Sequence, residues 1–167
     1  MSTEDWLETA IKAIKASTKE TAIYVGCDSV RFKKGKKKKG ETPEWWARYS
    51  VVVVLHNNVD NQSKGCSLFH RTFTERDWGS KDDPRPRMMR EAQEAIEVGV
   101  KIREVLDADN DPRSVVIHMD INPDESHKSS VAVKEALGWA IGMGFEAHVK
   151  PDAWAATHCA DRLATRH

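Results

Sequence analysis

Apolar and polar positions along the chain repeat with two periods, that of helices and that of strands. Residues 1–19 place Trp6, Leu7, Ala10, Ile11 and Ile14 on one side of a wheel, the stripe of an amphipathic helix. From Thr21 to Val30 the period drops to two. Ile23, Val25 and Cys27 point one way, Tyr24, Gly26 and Asp28 the other, so this strand ends by presenting an acid. A second strand is predicted over Trp45–His56, whose β-branched run suits a packed, pleated surface. The Asn, Asp and Gly residues between Asn57 and Gly65 predict a hairpin connection to a third strand, Cys66–Phe73. Three consecutive strands therefore open the sheet as an antiparallel meander.

The polar segment Thr74–Pro86, broken by Pro84 and Pro86, gives way to a long helix over Arg87–Asp107. Strands at Ser114–Ile121 and Phe145–Lys150 then alternate with helices at Ser126–Met143, stopped by Gly142 and Gly144, and at Asp152–Arg166, with Asp152 placed as its N-cap. After the first helix the order is β-β-β-α-β-α-β-α. A meander followed by strands that alternate with helices predicts an α/β fold: a mixed five-stranded sheet flanked by helices, with the extra helix at its N-terminus. Residues 1–167 read as one domain.

Apolar runs such as Val51–Leu55 are far too short to span a bilayer, and the acidic start lacks the apolar core of a signal peptide. A cytoplasmic protein with no membrane partner is expected. Cys27, Cys66 and Cys159 stand far apart with no C-x-x-C pair. That excludes neither a thiol nor its burial, but argues against a disulfide framework or structural zinc, so reduced and mostly buried thiols are expected. Lys+Arg and Asp+Glu each number 26, so net charge carries no preference for nucleic acid. The distribution does. Residues 31–43 are predicted as a basic loop, in which Arg31 to Gly40 hold seven cations and no acid. Lys33, Lys34, Lys36, Lys37, Lys38 and Lys39 are its candidate phosphate contacts, in an arm whose binding would weaken steeply with salt. A merely solvated loop is the alternative.

Three acids sit where the pattern calls for something else. Asp28 closes a buried strand, with Gly26 on the same face leaving room beside it. Asp120 shares a face with Val116 and His118 in a strand apolar enough to be covered on both sides, so it needs a partner. His118 is either that partner or a hydrogen-bonded interior histidine. On the long helix, Met88, Ala92, Ala95, Gly99, Ile102 and Leu106 define the core stripe, and Glu91 falls inside it, about 60° from its centre at about 100° per residue. Glu94, Glu97, Lys101 and Glu104 fall on the opposite, solvent-like side. Asp161, one turn after His158, only borders the apolar face of the last helix. Clustered carboxylates of this kind suit hard divalent ions, which take oxygen ligands and can activate water for in-line displacement at phosphorus.

With these acids placed, the stretches IYVGCDSV, RMMREAQEAI, VVIHMDI and GFEAHVKPDAWAATHCADRLA resemble the ribonuclease-H-like superfamily, and within it the YkuK-type ribonuclease-H-like proteins. The resemblance runs from about Thr21 to the C-terminus. It implies acids on the first strand, the first long helix, the fourth strand and the last helix, here Asp28, Glu91, Asp120 and Asp161. It selects Glu91 over Glu94, as the wheel does, and supplies the support that Asp161 lacks. It implies a nuclease using two Mg²⁺ or Mn²⁺ ions, Asp28 bridging them, Glu91 and Asp120 on one and Asp161 on the other, with a 5′-phosphate and a 3′-hydroxyl as product ends. His158 is the candidate for product release or proton transfer. RNA/DNA hybrid, structured DNA and RNA are the substrate classes. The first strand reads CDSV where ribonuclease H itself has an Asp-Gly-Ser type turn, and no counterpart of its basic handle is present; the lysine-rich loop is a candidate substitute.

Two other classes compete. A nucleic-acid-binding module without catalysis would rest on Lys33 to Lys39, with Trp45 and Trp46 either stacking on bases or packed in the sheet. A regulatory protein that reuses the fold would have no need for four acids.

Overall fold

The computed structural model describes residues 5–35, 40, 43–79, 83–121 and 130–165. In chain order the elements are α1 (Asp5–Ala16), β1 (Ala22–Lys34), β2 (Glu44–Val59), β3 (Gln62–Arg76), α2 (Arg85–Ala108), β4 (Val115–Met119), α3 (Ser130–Gly142) and β5 (Glu146–His148). A wide π-helical turn (Ala155–Ala160) then runs into α4 (Asp161–Thr165). The sheet order is β3-β2-β1-β4-β5, with β1 to β3 antiparallel and β1, β4 and β5 parallel. This is the expected mixed sheet, with its meander, its alternating half and its extra helix.

Period-two alternation divides β1 and β2 between two cores. Ile23, Val25, Cys27, Val51, Val53 and Leu55 face α1, α2 and α3. Val52 and Val54 face the π-turn and α4, packed with Ala155 and Ala160. The central run Ser50–Leu55 is buried throughout. Gly99 lets α2 lie close to the sheet, since a Cβ there would stand 2.8 Å from Ile117 Cδ1 and 3.3 Å from the Phe145 ring. At the far end of the α1 core, Arg113 donates to Ile14 O at 2.9 Å, to Thr18 O at 3.1 Å and to Ser17 Oγ at 2.7 Å, and pairs with buried Asp111 at 2.7 Å. That bolt ties the C-terminus of α1 to the entry of β4. No helix among the described residues is long and apolar enough to cross a membrane.

Several boundaries differ from the pattern reading. The hairpin between β2 and β3 is a two-residue turn, Asp60 and Asn61 at positive φ (52° and 59°), and both strands run through the polar stretch read as a connection. β1 continues six residues past Asp28, so residues 31–34 of the expected basic loop are strand. Arg31 pairs with Asp77 at 2.6 Å and lies over Trp45 at 4.1 Å, while Lys33 lies over Trp45 at 4.9 Å and Lys34 over Trp46 at 4.0 Å. Lys36, Lys37, Lys38 and Lys39 lie outside the described residues, as does the expected start of α3 at Ser126. Asp152 is not a cap: it sits in a turn, its N–H donating to Val149 O at 2.9 Å, and the helical stretch starts after it. Glu94 is buried, not solvent-facing, because β3 covers that flank of α2 and brings Arg71 to 2.6 Å, while Arg90 one turn back also lies at 2.6 Å. All three thiols are free, with Cys27 buried, Cys159 half-buried and Cys66 exposed on β3.

Candidate active site

Asp28 stands on β1 between β2 and β4. Its neighbour Cys27 pairs with Met119, so Asp120 emerges beside it where β4 ends, and Ser50 is its partner on β2. Burial, above all, pushes the Asp28 carboxyl up to about 7. The Ser29 backbone N–H opposes that rise, and Asp120 and Asp161 add to it. Asp28 and Asp120 lie where the pairing of β1 with parallel β4 ends, and Asp161 opens the helix that packs on β1.

The fourth enters from α2. Glu91, only 7% exposed, accepts a short hydrogen bond from Ser29 Oγ. Arg87, one turn earlier, donates to Ser29 O at 3.0 Å and to Ser29 Oγ at 3.2 Å, which fixes that hydroxyl. Burial pushes the Glu91 carboxyl up to about 8, Asp28 pushes further, and Ser29 and Arg87 hold it back. Asp120 adds a smaller push. Glu91 is thus the polar intrusion that the wheel locates, and its surroundings keep it neutral at neutral pH.

Among the described residues Asp120 has two partners, neither of them His118. Lys150 Nζ lies 2.8 Å from Asp120 Oδ1, and Thr157 Oγ1 donates to the same oxygen at 2.9 Å. His118 is an interior histidine: its Nδ1 accepts the Ala155 N–H at 3.1 Å, and its ring packs against Tyr24, Trp154 and His148. Burial and then His148 bring its pKa down to about 4, so it stays neutral. Cys27 lies beneath the acids, where burial and then Glu91 push its thiol well above the ordinary value, which leaves it unsuited to attack as a thiolate.

Asp161, half-buried at the start of α4, joins Thr157, His158 and Arg162 along a groove of about 670 Å³ that reaches Leu68 on β3. His158 is exposed at its lip and makes no hydrogen bond or ion pair among the described residues. Sequence reasoning missed Lys150, Thr157, Ser29 and Arg87. Thr157 carried a usable signal, lying one turn before Asp161, and Ser29 follows Asp28 directly. Lys150 and Arg87 carried none, since only the packing of β5 and α2 brings them in.

Among the described residues no three carboxylate, imidazole or thiol side chains surround a common point closely enough to hold an ion as they stand. The chemistry of the donor set still fits a hard divalent cation. Burial chiefly, with Asp120 and Asp161 acting on Asp28 and Asp28 acting on Glu91, disfavours the ionised form of both, and positive charge would favour it. Lys150 already supplies one such charge at Asp120. Loading would require Glu91 to turn from Ser29 and Asp120 to share its oxygens with something besides Lys150.

Residues 6–165 match the family model described as ribonuclease H-like. The chain belongs to the ribonuclease H-like family. That membership supports a nucleic-acid-related function on this fold. No curated protein and no solved structure matches the chain.

Proposed function

We propose that this ribonuclease H-like protein is a divalent-metal-dependent nuclease that hydrolyses phosphodiester bonds, with Asp28, Glu91, Asp120 and Asp161 as ligands of Mg²⁺ or Mn²⁺. One observation carries the reading: acids from β1, α2, the end of β4 and the start of α4 gather at one end of the sheet, where burial first and neighbouring carboxylates second raise Asp28 to about 7 and Glu91 to about 8. Uncompensated carboxylates are seldom gathered in a fold that has no use for a cation there. Bound in pairs, such ions supply an activated water and stabilisation of the departing oxygen.

The protein's own groups would prepare that chemistry. Asp28, on β1 between β2 and β4, would be one of the ligands of such an ion. Thr157 orients Asp120, and the Arg87–Ser29 pair orients Glu91. Lys150, partly exposed beside Asp120, is placed to meet a phosphate oxygen once the carboxylate is taken by an ion. His158, at the lip of the Asp161 groove, is placed to carry a proton to or from the leaving end. Lys33 and Lys34 contribute phosphate contacts.

A second reading has two observations in its favour: Lys150 already pairs with Asp120, and among the described residues no three donors converge. In that reading the protein binds nucleic acid without cutting it. Mg²⁺- and Mn²⁺-dependent cleavage of hybrid, duplex, branched and single-stranded substrates separates the two, with Asp28→Asn and Asp120→Asn as controls. The nuclease reading expects cleavage that both substitutions abolish. Cleavage that survives both would take the activity away from this site, and binding without turnover in any condition would favour the second reading.

A further inference from the structure

The sheet face that presents Asp28 does not end at the acids. Cross-strand register places Asp28, Ser50 and Thr72 in one row, then Val30, Arg48 and Thr74, then Phe32, Trp46 and Arg76. Partners in register point to the same side of a sheet. The described part of α4 covers this face only as far as the Arg48 row, where Arg48 donates to Ala164 O at 3.4 Å. The next row therefore lies open beyond α4, about 13 Å from Asp28 at the usual rise of a strand.

That open row interleaves aromatic rings with cations. Lys34 Nζ lies 4.0 Å from the Trp46 ring centre, the Arg48 guanidinium 5.5 Å from Phe32, and the Arg76 guanidinium 4.2 Å from Trp78. Trp78, at the edge of the sheet just past β3, is 77% exposed, the most exposed large apolar side chain among the described residues. One acid is present: Glu44 takes Trp46 Nε1–H at 3.3 Å and pairs with Arg76 at 3.3 Å. Trp46 is half-buried with Phe32 beside it in the row, whereas Trp78 is exposed, and the cations that cover the two rings are long, flexible side chains.

We propose that Trp46 and Trp78, with Lys34 and Arg76, form a stacking platform that binds unpaired bases of a nucleic-acid strand leading to the acid cluster. A duplex offers phosphates to such a surface but keeps the faces of its bases inside the helix, where no side-chain ring can stack on them. A surface built for duplex would carry the cations alone. Here each cation already covers a ring, so a single strand can replace both contacts at once: the base takes the ring and the phosphate takes the ammonium or guanidinium. Bound this way, the strand lies on the sheet face that carries Asp28, just beyond the described end of α4. The inference rests on the nuclease reading for its part in substrate choice, though the binding itself needs no metal.

The test measures binding of the full chain to a labelled single-stranded oligonucleotide, as RNA and as DNA, and to a blunt duplex of equal length. Anisotropy and tryptophan quenching are read in EDTA at low salt. The single strand is expected to bind at least about ten-fold tighter than the duplex and to quench tryptophan emission. Trp78→Ala and Trp46→Ala are each expected to weaken single-strand binding by about ten-fold and to leave duplex binding unchanged, with Trp46→Phe restoring most of the loss. Trp78 is exposed enough that its removal should leave the fold intact, which guards against a misfolded Trp46 variant. Equal affinity for duplex, or single-strand binding indifferent to both tryptophans, would overturn the platform. Metal-dependent single-strand cleavage unaffected by both Trp46→Ala and Trp78→Ala would overturn the platform and spare the nuclease reading. Tryptophan-dependent single-strand binding without cleavage would uphold the platform and sink the nuclease.

Discussion

Glu91→Gln tests the electrostatics of the acid cluster without any substrate. The Glu91 carboxyl sits at about 8 in the fold against 4.5 for a free side chain, chiefly because it is buried and next because Asp28 stands beside it. The sign follows from linkage. Below the unfolded value the group is neutral in both states and the fold keeps its full stability. As pH rises toward the folded value the unfolded chain ionises freely while the folded one does not, and stability is lost, completely so above about 8. The interval sets a ceiling of about 5 kcal/mol at about 1.36 kcal/mol per pH unit. Arg87 and the Ser29 hydroxyl oppose that rise, so we take about 2 kcal/mol as the realised cost. Gln keeps the size of Glu and can still accept from Ser29, but cannot ionise. In EDTA at about pH 8 the variant should therefore melt about 4–8 °C above the parent, and at about pH 5 within about 1–2 °C of it. Differential scanning calorimetry across that range reads both. A variant that melts lower than the parent at both pH values would show that ionised Glu91 anchors Ser29, and the argument for a strained cluster would fail.

Three further outcomes are expected. At about pH 8, Mn²⁺ at a hundred-fold excess over its dissociation constant should stabilise the parent by about 2.7 kcal/mol, seen as a rise in melting temperature; Asp28→Asn should abolish it, and an equal rise in both proteins would place the ion elsewhere. Lys150→Met should tighten Mn²⁺ binding by up to about five-fold in titration calorimetry, because a partly exposed ammonium no longer competes for Asp120; weaker binding would mean that Lys150 supports the site and does not compete with the ion. Arg113→Ala should destabilise the fold by about 3 kcal/mol in urea titration at neutral pH, since it strands buried Asp111 and the carbonyls at the end of α1. Asp111 is held well below the usual carboxylate range by Arg113 first and Lys19 also, so its contribution is present above about pH 4 and is lost as acid is added. A variant that is less than about 1 kcal/mol weaker would refute that account.

How far the sequence reached depends on whether a residue's role is decided by its own period or by a distant partner. Strand and helix order, the two-faced alternation of β1 and the burial of Glu91 all follow from local periodicity, and each is found in the fold. Glu94 obeys the same wheel yet is buried, because Arg71 arrives from β3 and no count along α2 can announce it. Asp28 looked like a strand end because cations usually mark solvent, but Trp45 and Trp46 across the ribbon give those cations rings to rest on and the strand continues. The same mismatch separates the acids from the groups that manage them. Four carboxylates could be picked out by position and family pattern, while Lys150, which pairs with Asp120, and Arg87, which opposes the rise of Asp28 and Glu91, come from segments with no periodic reason to be there. If the cluster serves a cation, its affinity is therefore set less by the acids than by how readily these two bases give way, and substitutions at Lys150 and Arg87 should tune metal binding without touching a ligand.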